Sequence, residues 1–322
     1  MKKLLIITAL LATAVSMSAQ TKEFRKVKTS GEFPAVVVND ASLPGFTIYR
    51  PEDLQAAVKK LGPLPVVVFA NGGCSVNPRD DENFNTEIAS HGYILIGIGD
   101  YNPISLETYH ELVYALGQEV AKAGNDSSKV KSIRGLIESL QPGGKSKPEQ
   151  LTQGINWAQA QAVQQGGEYY KMIDTDKIAV MGSSCGGVQA LSISYDTRIK
   201  TLILKNSGNF SMRGRSEASG NILDEIKVPM LYMLGNETDV AYRSASNDFE
   251  AIKNIPVAFC SGSTFGHMGT VHEPYGGEMS RIVIAWLQYR FRDMKNYKEV
   301  FTNQNVQKKD YSIWTIKTKN IK

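Results

Sequence analysis

The chain has 322 residues, 42% of them hydrophobic and 21% charged. That is enough apolar material for a substantial core and rules out wholesale disorder. Thirty-six Lys and Arg against 32 Asp and Glu leave a formal charge of +4, too small an excess to point to nucleic acid or an anionic membrane surface as a partner. Three cysteines are too few for a disulfide scaffold or a conventional structural zinc site.

The chain opens on Lys2-Lys3, an apolar run Leu4–Ala12, and small residues Ser16, Ser18 and Ala19. A basic start, a short apolar segment and a small-residue exit describe a cleaved signal peptide over residues 1–20. The run is well short of the ~20 residues that span a bilayer, so an anchor is disfavoured and no membrane span is expected. Export to the periplasm or beyond follows, in an oxidising compartment where cysteines pair. Residues 21–322 are read as one domain.

Pro34–Val38 and Phe46–Arg50 flank a Pro-Gly turn and predict two paired strands. Leu64–Ala70, Tyr93–Ile98, Lys177–Met181, Thr201–Leu204, Val228–Leu234 and Ile255–Phe259 are near-continuous apolar runs, the mark of strands covered on both faces. Helical spacing separates several of them, at Leu151, Ile155 and Ala158 and again at Ile282, Ala285 and Trp286. Strands alternating with helices predict an α/β fold with a mostly parallel sheet. Residues 104–148 carry two further helical patterns, which either form an insertion over the edge or mouth of the sheet or lengthen a crossover. The tail Tyr311–Ile316 reads as an extra edge strand without chemistry.

Gly182-Ser183-Ser184-Cys185-Gly186 follows a predicted buried strand and precedes a helix-compatible segment. The G-x-S-x-G string alone is a weak signal. Between a strand and a helix it describes a nucleophile elbow, in which small residues allow a sharp turn that presents the serine hydroxyl. A serine needs a base, and in such folds the chain order is Ser, acid, His. His267, in the glycine-rich loop after Phe259, is the candidate base ahead of His272. His91 reads as structural, and His110 as surface or substrate-facing. Asp239 is favoured as the acid over Glu237, although position after a strand does not separate them. The oxyanion that develops during acyl transfer needs two backbone N–H donors. Cys185 supplies one, and Gly73 or Cys74, in Asn71-Gly72-Gly73-Cys74, the other.

With these segments, the chain resembles secreted α/β-hydrolases of the dienelactone hydrolase, cutinase and polyester hydrolase group. The likeness runs over roughly residues 33–303 and includes Ala89–Tyr93, Ile173–Lys177 and Ala285–Tyr289. It implies a serine ester hydrolase with Ser184, Asp239 and His267 as triad. The 104–148 segment is longer than in compact polyester hydrolases, and the aromatic or methionine oxyanion residues of those enzymes are both cysteine here. Polymer substrates are therefore disfavoured, and a small or carbohydrate-linked ester is expected. Two cysteines sharing one oxyanion site fall within disulfide reach, so a Cys74–Cys185 bond is expected, with Cys260 free; the alternative is three buried thiols.

The competing readings are a serine peptidase or lipase on the same fold, and a silent binding protein on this scaffold. The first would need a larger lid or an added binding domain. The second is hard to reconcile with all three triad positions being filled. No metal constellation, cofactor motif or nucleic-acid stripe competes, and Asn71-Gly72-Gly73 lacks the Gly-Lys-Ser/Thr of a phosphate loop.

Overall fold

Along Leu64–Ala70 the side chains divide between two cores: Val66, Val68 and Ala70 face one, Val67 and Phe69 the other. That two-sided burial is what a β-branched run without alternation requires. The computed structural model containing this strand describes residues 25–101, 106–124, 126–140, 144–209 and 222–321. The expected leader lies outside the described residues.

The strands, in chain order, are β1 (Arg25–Lys26), β2 (Ala35–Val38), β3 (Phe46–Pro51), β4 (Leu64–Ala70), β5 (Ile94–Ile98), β6 (Ile173–Ser183), β7 (Ile199–Lys205), β8 (Met230–Leu234), β9 (Val257–Gly262) and β10 (Trp314–Lys319). They form one ten-stranded sheet in the order β1-β2-β3-β5-β4-β6-β7-β8-β9-β10. From β5 to β9 across the sheet all neighbours run parallel. The first three strands add antiparallel on one side and β10 on the other. The protein is therefore α/β with a mostly parallel sheet, as the apolar runs predict. The tail does form an edge strand, displaced to Trp314–Lys319, and β1 had no counterpart in the sequence pattern.

Helices cover both faces. Pro148–Val163 packs through Leu151, Ile155 and Ala158 into the core that holds Val66 and Val68. A side chain at Gly154 would press a carbon to 2.8 Å from Val68 Cγ1. On the other face Gly277–Arg292 buries Ile282, Val283, Ala285 and Trp286. Trp286 Nε1 donates to Thr201 Oγ1 at 2.9 Å, which satisfies a fully buried indole. The helices Leu106–Ala123 and Ser127–Leu140 are separate from Pro148–Val163, the helix that carries the crossover from β5 to β6. They are thus additional to the minimal alternation of strand and helix.

One buried carboxyl has a bearing on stability. Asp248, in the helix Tyr242–Ala251, accepts from the Asn209 backbone N–H at 2.6 Å and from the Tyr232 hydroxyl at 3.3 Å. Burial outweighs these bonds and pushes its pKa up to about 6 from an ordinary 3.8. The folded state therefore binds this proton more tightly than the unfolded one. The associated stability is complete below the unfolded value and is lost as pH rises through about 6. The gap corresponds to about 3 kcal/mol. Asp248→Asn should match the wild type at pH 4 in denaturant unfolding and exceed it at pH 8 by about 1–3 kcal/mol. Equal stabilities at both pH values would contradict this assignment.

Candidate active site

Strand β6 ends at Ser183, and Ser184 turns the chain into the helix Cys185–Ser192 at φ 49° and ψ −115°. A non-glycine residue at positive φ is strained and persists only where its surroundings hold it. Three bonds hold this one. Ser184 N–H donates to the Lys205 carbonyl at the end of β7 (2.8 Å), and its carbonyl accepts from Gly187 N–H (2.9 Å) and Ser207 Oγ (2.7 Å). The flanking glycines are steric requirements. A Cβ at Gly182 would lie 2.1 Å from the Gly186 carbonyl oxygen, one at Gly186 2.2 Å from that of Ala70, and one at Gly187 2.3 Å from Ser207 Oγ. Only bare backbone lets the strand, the turn and the helix approach so closely.

Two loops at the same edge of the sheet meet Ser184. His267, in the loop after β9, places Nε2 3.0 Å from Ser184 Oγ and Nδ1 2.6 Å from Asp239 Oδ1. Asp239 lies in the loop after β8. The two loops are stitched together by Asn236 N–H to the Phe265 carbonyl (2.8 Å) and Ser261 Oγ to the Gly235 carbonyl (2.9 Å). A Cβ on Gly235 would sit 2.4 Å from the Gly266 carbonyl oxygen. Between the two acids the geometry is decisive: Asp239 is buried against the imidazole, whereas Glu237 is exposed.

Burial pushes the Asp239 carboxyl up, but the bonds it accepts outweigh it and hold the group below its ordinary range. Those donors are His267, Asn206 Nδ2 (2.7 Å), Ala241 N–H (2.9 Å) and Gly235 N–H (3.1 Å). The group stays a carboxylate, so it fixes the imidazole with a proton on Nδ1 and a lone pair on Nε2 facing the hydroxyl. This arrangement can accept a proton from Ser184 Oγ at His267 Nε2.

The second half of the site is the turn after β4. Gly72–Cys74 forms a short 3₁₀ turn closed by Ser75 N–H on the Gly72 carbonyl (3.0 Å). Buried Asn71 anchors it by donating to the Ile98 and Ser75 carbonyls at 2.7 and 3.1 Å. Cys74 is disulfide-bonded to Cys185, with Cα atoms 5.1 Å apart. The expected oxyanion turn is thus covalently joined to the residue after Ser184. Cys260 is buried in β9, and desolvation raises its thiol pKa.

Of the other histidines, His91 reads as structural: Nε2 lies 3.2 Å from Glu87 and its carbonyl accepts from Arg292 (3.1 Å). His272 is exposed, with its carbonyl accepting from Asn83 (2.9 Å). The side chain of His110 lies outside the described residues. Two residues at the site escaped the sequence pattern. Asn206 holds Asp239, and Lys205 reaches Asp81 Oδ1 at 2.6 Å in a pair only 4% exposed on each side. Their signal was a Lys-Asn pair ending an apolar strand at the edge where Ser184, Asp239 and His267 meet. Among the described residues, no group of three or more His, Cys, Asp or Glu is placed to hold a metal ion, and no helix is long and apolar enough to cross a membrane.

No family model and no curated protein matches the chain.

The disulfide and the packed elbow give two expectations. Denatured, unreduced protein should titrate one thiol, Cys260; three would disprove the Cys74–Cys185 bond. Gly186→Ala, which drives a methyl into the Ala70 carbonyl, should lower stability by about 2–4 kcal/mol in denaturant unfolding, and a cost below about 0.5 kcal/mol would mean the elbow has room to spare.

Proposed function

We propose that the chain is an exported serine hydrolase of the α/β-hydrolase fold that cleaves carboxylic esters through an acyl-enzyme. The observation that carries this is the unbroken relay from Ser184 Oγ through His267 to Asp239, at 3.0 and 2.6 Å. Support comes from the chain order of the three residues, each on a loop leaving a parallel strand at one edge of the sheet. The strained serine between close-packed glycines supports it as well.

In the reaction, Ser184 Oγ attacks the ester carbonyl as its proton moves to His267 Nε2, and Asp239 stabilises the imidazolium. The carbonyl oxygen, now negative, is held by the N–H of Cys185, the first residue of its helix and so without an intrahelical acceptor. The Gly73–Cys74 turn supplies the other donor. Collapse of the tetrahedral adduct returns the proton from His267 to the departing alcohol. Water, deprotonated by the same imidazole, then releases the acid and regenerates the serine. Val240 and Met268, each next to a triad residue, are 72% and 66% exposed. They offer apolar contact to substrate beside the acid and the base, in keeping with a small or carbohydrate-linked ester carrying an uncharged acyl group.

A p-nitrophenyl acetate assay tests this directly. Wild type should turn over the ester, Ser184→Ala should lose about 10⁴-fold or more in kcat, and Asp239→Asn about 10³–10⁴-fold by presenting the wrong imidazole tautomer. Folded protein without turnover, or turnover that survives Ser184→Ala, would instead favour a silent binding protein.

A further inference from the structure

Gly73 and Cys74 occupy consecutive left-handed conformations, at φ 62° and 51°. Glycine accepts this readily. A cysteine does not, so the turn must be held from outside. Its carbonyls show how: Gly72 C=O accepts from Ser75 N–H (3.0 Å), Gly73 C=O from Lys145 Nζ (2.7 Å) and Cys74 C=O from Ser146 N–H (2.8 Å). Ser146 is buried and locked in turn by Gln189 of the elbow helix. Ser146 Oγ donates to Gln189 Oε1 at 3.0 Å, and Gln189 Nε2 donates to the Ser146 carbonyl at 2.7 Å. The segment Lys145–Ser146 thus bridges the same two elements that the disulfide joins, the oxyanion turn and the helix behind Ser184.

Lys145 does more than add a contact. In a trans peptide the N–H lies opposite the C=O, so a bond to the Gly73 carbonyl fixes the plane of the Gly73–Cys74 amide and the direction of the Cys74 N–H. An ammonium on the carbonyl also polarises that amide and strengthens its N–H as a donor. We propose that Lys145 is a positioning residue for oxyanion stabilisation, acting through the Gly73–Cys74 amide while Ser146 and Gln189 hold the segment in place. This rests on the serine-hydrolase function proposed above. Lys145 is exposed, so its replacement leaves the core intact.

The experiment compares wild type with Lys145→Met and Lys145→Arg, using a neutral short-chain ester and two inhibitors of matched shape. One inhibitor is a trifluoromethyl ketone, which accepts Ser184 Oγ at its carbonyl carbon and becomes a tetrahedral oxyanion. The other carries a methylene in place of that carbonyl and forms no adduct. In Lys145→Met, kcat should fall about tenfold, a smaller effect than outright loss of a donor, with KM within about twofold. The ketone should weaken by the same factor as kcat, and the methylene compound should be unchanged. Lys145→Arg, which can still donate to the carbonyl, should recover most of the loss. Equal weakening of both inhibitors, a rise in KM alone, or unchanged kcat and ketone affinity in Lys145→Met would each overturn the proposal. A fluorophosphonate probe separates the two levels. If wild-type Ser184 is labelled but Lys145→Met behaves as wild type, only the role of Lys145 falls. If wild-type Ser184 is neither labelled nor turns over the ester, the hydrolase function falls and the role of Lys145 with it.

Discussion

The backbone at Ser184 stores strain of about 1–3 kcal/mol, and much of the surrounding structure is arranged to keep it there. The Lys205 carbonyl accepts from the Ser184 N–H, and Ser207 Oγ and the Gly187 N–H donate to the Ser184 carbonyl. Three glycines yield the space that any side chain would occupy. Strain held in this way costs stability but leaves the hydroxyl proud of the sheet edge, with a helix start directly behind it. The parallel order of β4, β6, β7, β8 and β9 matters chiefly because it brings the loops that serve this turn to one edge.

Charge is handled by the same economy. Asp239 is buried yet remains ionised because four groups donate to its two oxygens. Lys205 and Asp81 are buried together, where removing either partner leaves an uncompensated charge and costs about 3–5 kcal/mol. Lys205 therefore contributes twice to the elbow, through its carbonyl on Ser184 and through a side chain that fastens β7 to the segment Pro78–Asp81. That segment follows the Gly72–Cys74 turn, so this turn and the Ser184 turn are anchored to one strand.

What could be read from the sequence divides along physical lines. The central strands were legible because burial on both faces demands continuous apolar runs, and Leu64–Ala70 matches its element residue for residue. The elbow was legible because its glycines are imposed by clashes with backbone, which no other residue type can relieve. The choice between Asp239 and Glu237 was not, since both follow the same strand and only the tertiary turn buries one and exposes the other. Asn206, Lys145, Ser146 and Gln189 were illegible for a related reason. Each acts on a partner far away in sequence, and a lone polar residue carries no periodicity. The twin helices of 106–140 were visible as patterns, but that they are separate from the crossover helix Pro148–Val163 was not.

The order in which the chain is made gives β10 a further significance. The loop that carries His267 leaves β9, and the outer neighbour of β9 is β10, which follows it in the chain. Ser263 N–H bonds to the Ile313 carbonyl at 2.8 Å, and Phe265 packs edge-on against Trp314. The loop of the imidazole is therefore braced by residues that are synthesised after Ser184, Asp239 and His267. A nascent chain that has passed His267 but not reached β10 holds Ser184, Asp239 and His267 without the strand that braces the imidazole's loop.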